Sequence, residues 1–206
     1  MEMKLYYAPG TCSLAPMIVA AWTGIELQTE VVNIRQQNPQ YLLKNPMGSV
    51  PAFELDDGQV MTQVEAIIDY FSDIQPASGL AGKDAVERFR INQWNAFLSS
   101  DFHPAFKGIF GPARLITDGS DEELERVTAA ARVQVDKVTG ILDQQIGSGN
   151  HIVLDRHTTA DAHAYAMLRW IRSFPQGLSL YPNIVRFMQM MEEDASVQSA
   201  LALEAR

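Results

Sequence analysis

The run Asn45-Pro46-Met47-Gly48-Ser49-Val50-Pro51-Ala52-Phe53-Glu54-Leu55-Asp56-Asp57-Gly58-Gln59-Val60-Met61-Thr62 decides how the first third of the chain folds. Ala52 to Leu55 and Gln59 to Met61 are short extended segments on either side of Asp57-Gly58, a dipeptide suited to a tight hairpin turn. A proline directly after Val50 and just before a strand marks a candidate cis peptide. Such a bond would turn the Val50 N–H and C=O outward, where an extended ligand can pair with them as an added strand does. The competing reading is an ordinary edge-strand proline. Beyond Thr62, the spacing of Val64, Ile67, Ile68 and Phe71 predicts a helix with one apolar face. Gln63 and Val64 open that helix, where the Val64 N–H can receive a carboxylate and the Gln63 side chain can hydrogen-bond to it. Otherwise Gln63 is simply a solvated first-turn residue.

Working toward the N-terminus, Lys4 to Ala8 has strand propensity and stops at the turn dipeptide Pro9-Gly10. Leu14, Ile18 and Trp22 recur every four residues in a helix that tolerates Pro16 in its first turn and ends at Gly24. Leu27 to Ile34 reads as a second strand, and Pro39 to Lys44 has room for one or two helical turns. The order β-α-β-α-β-β-α implies a mixed four-stranded sheet, so residues 1–76 are expected to form a thioredoxin-like α/β domain. Residues 77–83 are small and turn-forming and read as a linker. In 84–206 only helices are expected, over Ala85–Ile109, Asp121–Ile146, Thr159–Ser173 and Pro182–Glu193, giving an all-α bundle.

Composition narrows the function. The chain has 206 residues, 47% of them hydrophobic, and a net charge of −9, so it lacks the basic surface that attracts nucleic acids or anionic membranes. No apolar run is long enough to span a bilayer and the opening residues read as a strand, so a cytoplasmic protein is expected. A single cysteine, Cys12, rules out an intrachain disulfide and a multi-thiolate zinc cluster. The four histidines, at 103, 151, 157 and 163, show no convincing metal-ligand spacing, and no metal is expected.

Cys12 follows the turn and should lie in the first turn of the first helix, where outward-pointing N–H groups favour a thiolate. The alternative is a small buried apolar residue. Thr158-Thr159-Ala160-Asp161 has the form of a capping box and is read as structural. Ser99-Ser100-Asp101-Phe102-His103 falls late in the first long helix, where a polar face can border a cleft, although a lone His103 is more often a packing residue. Trp94, Trp170 and the methionines are assigned to the core.

Together these segments resemble the cytosolic glutathione S-transferase family, and most closely its bacterial beta class. The resemblance rests on Lys4 to Pro16 around Cys12, on Asn45 to Pro51, on Asp56 to Ile67 and on the capping box, and so spans nearly the whole chain. It implies a homodimer that binds glutathione along the sheet edge, uses no metal, and conjugates it to small hydrophobic electrophiles. By the resemblance, Cys12 lies beside the glutathione sulfur, near Thr11, and permits thiol–disulfide exchange. Val50 and Pro51 meet the cysteinyl backbone, Gln63 and Val64 hold the γ-glutamyl end, and Tyr7, Ser100 and His103 border the sulfur and the acceptor cleft. Val64 stands where the family usually has serine or glycine, Ala96 replaces an asparagine, and Leu154 and His157 replace a glycine and an apolar residue. The departures at Val64 and Ala96 motivate a second reading, a binding or scaffold protein on the same fold, whereas those at Leu154 and His157 bear on the turn and should leave the cap.

Overall fold

The computed structural model describes residues 3–36 and 38–205. Four strands, β1 (Lys4–Tyr7), β2 (Gln28–Val31), β3 (Ala52–Glu54) and β4 (Val60–Thr62), form one sheet in the order β2-β1-β3-β4. The β1–β2 pair is parallel, and the β1–β3 and β3–β4 pairs are antiparallel. The β3–β4 turn closes as its dipeptide predicts: Gly58 has φ +82°, and Leu55 and Gln59 are joined by a 2.9 Å backbone bond. Strand β2 is shorter than expected because its pairing ends with the bond from Val32 N–H to the Tyr7 carbonyl.

Side chains alternate across the sheet. Leu5, Tyr7 and Phe53 enter the main core beneath α1 (Leu14–Thr23) and α3 (Val64–Ile74). Tyr6 and Ala52 point the other way, onto Tyr41 of α2 (Pro39–Lys44) and Val32. Helix α1 is buried continuously from Leu14 to Ala20, because it packs against α3 and also against two helices from the other end of the chain. A helix that is apolar all round is a core element; Gly24, at φ +70°, ends it in the left-handed conformation.

The segment expected to be a linker is firmly seated. Pro76–Ser78 forms a 3-10 turn, Leu80 and Ala81 are buried, and the Leu80 carbonyl accepts the Thr159 N–H. Gly82 has φ +96°, and a Cβ there would lie 2.6 Å from the Arg88 nitrogen, so the close approach requires glycine.

Among the described residues every remaining regular element is helical. They are α4 (Ala85–Phe97), α5 (His103–Ala105), α6 (Lys107–Phe110), α7 (Asp121–Ile146), α8 (Thr159–Leu168), α9 (Pro182–Glu193) and α10 (Ala195–Glu204). The continuous helix expected over 85–109 is interrupted by a wide π-type turn at Leu98–Phe102. Pro104 accounts for this, since it lacks an N–H and its ring crowds the carbonyl four residues earlier. Helix α8 also ends early, at Leu168, and continues as a 3-10 turn to Ser173. Helix α10 was not foreseen; Asp194 caps it, accepting from the Ser196 and Val197 N–H groups. No helix among the described residues is long and apolar enough to cross a membrane.

Helix α8 is the centre of the bundle, with every residue from Thr159 to Leu168 buried. The expected capping box is present: the Asp161 carboxylate accepts from the Thr158 N–H and hydroxyl, and also from the Ile152 N–H. On the opposite side, Asn95 of α4 donates to the Thr159 hydroxyl and meets His163 Nδ1 at 3.3 Å. Burial lowers the His163 pKa to about 3, so the imidazole is neutral in the folded protein. The unfolded chain takes up a proton below about pH 6.5, which the native state refuses, so stability falls as pH drops through that point. Urea midpoints measured from pH 7 to pH 4 are expected to decline, and His163→Gln should flatten the decline by up to about 1.4 kcal/mol per pH unit.

Candidate active site

Cys12 lies in the turn between β1 and α1, two residues before the helix begins at Leu14. That is one step outside the first helical turn in which the sequence placed it. The turn is tight and internally bonded. The Thr11 hydroxyl donates to the Ala8 carbonyl at 2.7 Å and approaches the Ser13 hydroxyl at 2.6 Å, and the Ala15 N–H donates to the Cys12 carbonyl. Cys12 is only 6% exposed, and its thiol donates to the Val50 carbonyl at 3.7 Å.

Burial pushes the Cys12 thiol up to about 12, against a smaller lowering from its own backbone N–H. The thiolate expected from the helix start is therefore not the resting form. Desolvation of the charged sulfur outweighs the favourable field of the helix terminus.

Val50 is brought to the sulfur by the peptide bond to Pro51, which is cis. Asn45 and Tyr41 hold the preceding loop, each donating to the Ser49 carbonyl, at 2.7 and 2.6 Å. The Val50 N–H has no protein acceptor among the described residues and remains available to an extended ligand. At the start of α3, Gln63 is exposed with φ +76°, a conformation that glycine favours and other residues adopt where the surroundings enforce it. No side chain caps α3, so its first-turn N–H groups face outward beside Gln63. Val64, at that same turn, is buried against the core that includes Cys12.

The helical half closes over this turn through Trp170, which the sequence assigns to the core, and through Arg169 and Glu204, which it does not single out. Trp170 is half-buried at the seam instead of lying in the core, and its indole N–H donates to the Gly10 carbonyl at 2.8 Å. The Gly10 N–H donates to the Glu204 carboxylate at 3.0 Å, and Arg169 pairs with the same carboxylate at 2.8 Å. Trp170 also packs against His103, Phe106 and Phe110, with ring centroids 5.0 to 5.1 Å apart. Phe110 remains 59% exposed, so these rings form an apolar wall open to solvent. Burial, with Lys107 nearby, lowers the His103 pKa and keeps its imidazole neutral near pH 7. Short-range sequence signals could not reveal Trp170 or Glu204, because both reach Gly10 across more than 150 residues.

Two expected residues sit differently. Tyr7 is buried, and its hydroxyl is directed at the Leu203 carbonyl of α10 at 3.4 Å, into the seam between the two halves. The Ser100 hydroxyl, on the exposed side of the π-type turn, donates to its neighbour Asp101 at 2.5 Å. Neither is directed at Cys12 in this structure. A cavity of about 460 Å³ on the other face of the sheet is lined by Lys4, Tyr6, Tyr41, Lys44 and Glu54. Both of its lysines are already paired, Lys44 with Glu54 at 2.6 Å and Lys4 with Glu30 at 3.3 Å.

The buried thiol yields a direct expectation. In ligand-free protein at pH 8, alkylation of Cys12 by iodoacetamide should be at least about tenfold slower than that of a free cysteine, even though each thiolate formed is more nucleophilic. Mass spectrometry over a time course measures the rate, and alkylation as fast as the free amino acid would contradict the desolvated thiol.

Residues 15–79 match the glutathione S-transferase N-terminal domain and residues 96–195 the glutathione S-transferase C-terminal domain. The chain is 37% identical to glutathione S-transferase GST-4.5 of Xanthomonas campestris pv. campestris over 204 residues, covering 98% of each chain. Among solved structures, a glutathione S-transferase from Xylella fastidiosa superposes with a TM-score of 0.91 at 35% identity, over 99% of both chains. A bacterial beta class enzyme from Sphingomonas chungbukensis does so with 0.85 at 33%, over 98% of both. With the mixed sheet, the cis peptide at Val50 and the helical half closing on the Cys12 turn, these likenesses establish that the chain belongs to the glutathione S-transferase family.

Proposed function

We propose that this glutathione S-transferase binds glutathione across the Val50 edge and the α3 N-terminus and transfers it to a small hydrophobic electrophile held against the Trp170 wall. The observation that carries this reading is the Cys12 thiol seated on the Val50 carbonyl next to the free Val50 N–H, with the uncapped α3 packed against α1, the helix that follows the Cys12 turn. In this reading the Val50 backbone and Pro51 take the cysteinyl part of glutathione, and the α-carboxylate of the γ-glutamyl end takes the Val64 N–H and the Gln63 amide.

Conjugation needs a glutathione thiolate. The sulfur loses its proton to solvent, forms a bond to the electrophilic carbon, and the leaving group departs with the displaced electron pair. What accelerates this is stabilisation of the sulfur anion by donors fixed in place beforehand. A neutral Cys12 S–H can serve as such a donor by turning from the Val50 carbonyl toward the substrate sulfur. Neutral His103 borders the acceptor side. Thr11 keeps the turn closed, Tyr7 ties β1 to α10, and Ser100 lies at the cleft rim.

Thiol–disulfide exchange at Cys12 is a secondary activity in this proposal. It requires glutathione disulfide as co-reactant: the Cys12 thiol loses its proton to solvent, its sulfur bonds to one glutathione sulfur as the S–S bond breaks, and the other leaves as glutathione thiolate. The high Cys12 pKa makes that attack slow. A scaffold role without chemistry is not favoured, because relatives matching over nearly the whole chain are named transferases. We place the enzyme in the cytoplasm as a homodimer; exposed Val86 and Phe89 on α4 are apolar surface that a second copy would cover.

Retention on immobilised glutathione and release by free glutathione are expected, and failure to bind at millimolar ligand would overturn the reading. Gln63→Ala should raise the KM for glutathione about tenfold with a smaller change in kcat, since a hydrogen bond to a charged group contributes about 1.5 to 3 kcal/mol. Steady-state kinetics with a chloro-nitroaromatic acceptor would separate the two constants.

A further inference from the structure

The loop that leads into α8 gathers three side chains whose metal-ligand character is hidden by their spacing in sequence. His151 and His157 meet nearly edge to face, with ring centroids 5.1 Å apart and planes at 87°. His151 Nδ1 lies 3.6 Å from Asp161 Oδ2, and one ligand atom from each of His151, His157 and Asp161 falls within 4.8 Å of the others. The Nδ1 atoms of both histidines are sealed from solvent and have no hydrogen-bond partner. Two orphaned ring nitrogens beside a buried carboxylate call for an explanation, since buried polar atoms are nearly always satisfied.

The carboxylate has capacity to spare. An ionised carboxylate offers about four acceptor positions, and the Ile152 N–H, the Thr158 N–H and the Thr158 hydroxyl take three of them. The other nitrogen of His157, Nε2, faces Asp194 Oδ2 at 3.4 Å, and such an outer carboxylate orients a ligating imidazole and raises its basicity. Trp22 of α1 stacks on the His157 ring at 4.5 Å and donates to Asp194 Oδ1 at 3.2 Å. The cluster therefore sits where α1 meets the starts of α8 and α10, outside the proposed glutathione site.

We propose that His151, His157 and Asp161 bind one divalent transition-metal ion, with Zn²⁺ the best match, as a structural pin at this junction. Two imidazoles and one carboxylate form a donor set suited to Zn²⁺, and to Co²⁺ as its spectroscopic substitute, whereas Ca²⁺ and Mg²⁺ require oxygen ligands. With metal–ligand bonds of about 2.0 to 2.2 Å, tetrahedral ligand atoms stand roughly 3.3 Å apart. The present separations close to that by side-chain rotation of two loop histidines. His151 and His157 keep 12% and 31% of their side-chain surface exposed, which gives the ion an entry path and leaves the fourth position to water. Bound metal would link the α8 cap to the imidazole that carries Trp22, and would stabilise the folded form because the unfolded chain has no preformed site.

The test uses the full chain without a polyhistidine tag, stripped of metal by chelator. Titration with Co²⁺ should produce visible d–d absorption that saturates at one equivalent and is abolished by Zn²⁺. Zn²⁺ should raise Tm for the wild type and not for His157→Phe or His151→Gln, with folding of each variant checked by far-UV circular dichroism. If one variant fails to fold, the other decides. A sulfur-to-cobalt charge-transfer band would assign the ion to Cys12 and overturn the proposal. It would also be overturned by the absence of any Co²⁺ band, or by an unchanged response in the folded histidine variants.

Discussion

The backbone of Gly10 is held on both its N–H and its carbonyl by residues of the helical half, and the placement of the Cys12 turn depends on that grip. Its carbonyl accepts the Trp170 indole N–H and its N–H donates to Glu204, itself paired with Arg169. A buried carboxylate without partners would be costly to desolvate, and the Arg169 guanidinium together with the Gly10 amide offset that cost. Since α10 supplies Glu204 and also the Leu203 carbonyl that receives the Tyr7 hydroxyl, the last helix fixes the first strand and the turn after it. The Cys12 turn belongs to the N-terminal sheet by sequence and to the helical half by its constraints.

That enclosure explains the state of the thiol. A helix terminus contributes about 0.3 to 1 kcal/mol toward an anion near it. Raising the Cys12 pKa from 9.0 to about 12 corresponds to roughly 4 kcal/mol against the thiolate. Burial wins, and the cysteine is better fitted to donate a hydrogen bond than to attack.

Local signals were legible from the residues alone. The Asp57-Gly58 hairpin, the Val50-Pro51 peptide, the Gly24 stop and the Thr158–Asp161 box are each set by backbone chemistry within four residues, and each appears as read. The wide turn at Leu98–Phe102 has a local cause in Pro104, yet apolar spacing alone carried the helix through it. Helix α10 went unread because its apolar and polar residues are poorly segregated around the helix, leaving only the Asp194 cap as a signal. The roles of Tyr7, Trp170 and Glu204 were illegible for a different reason. Each is defined by a partner on the other side of the fold, and no periodicity encodes which carbonyl an indole or a phenol will meet. Asn95 shows the converse: it lies beside the position where the family usually has asparagine, but it turns into the bundle to bind Thr159 and His163.

Two capping aspartates connect these observations. Asp161 closes the start of α8 and Asp194 the start of α10, each satisfying backbone N–H groups that a helix leaves unpaired. Both carboxylates also reach His157, and Asp194 receives the Trp22 indole, so residues whose local task is to end a loop anchor α1 to the bundle as well. Leu154 lies in the same loop at φ +61°, a conformation easier for glycine, directly after the buried Ile152 and Val153. Helix α1 therefore has a fixed point at each end, Gly10 just before its start and Trp22 in its last turn. Both are set by the helical half, so α1 is seated by contacts to the bundle at its two ends as well as along its length.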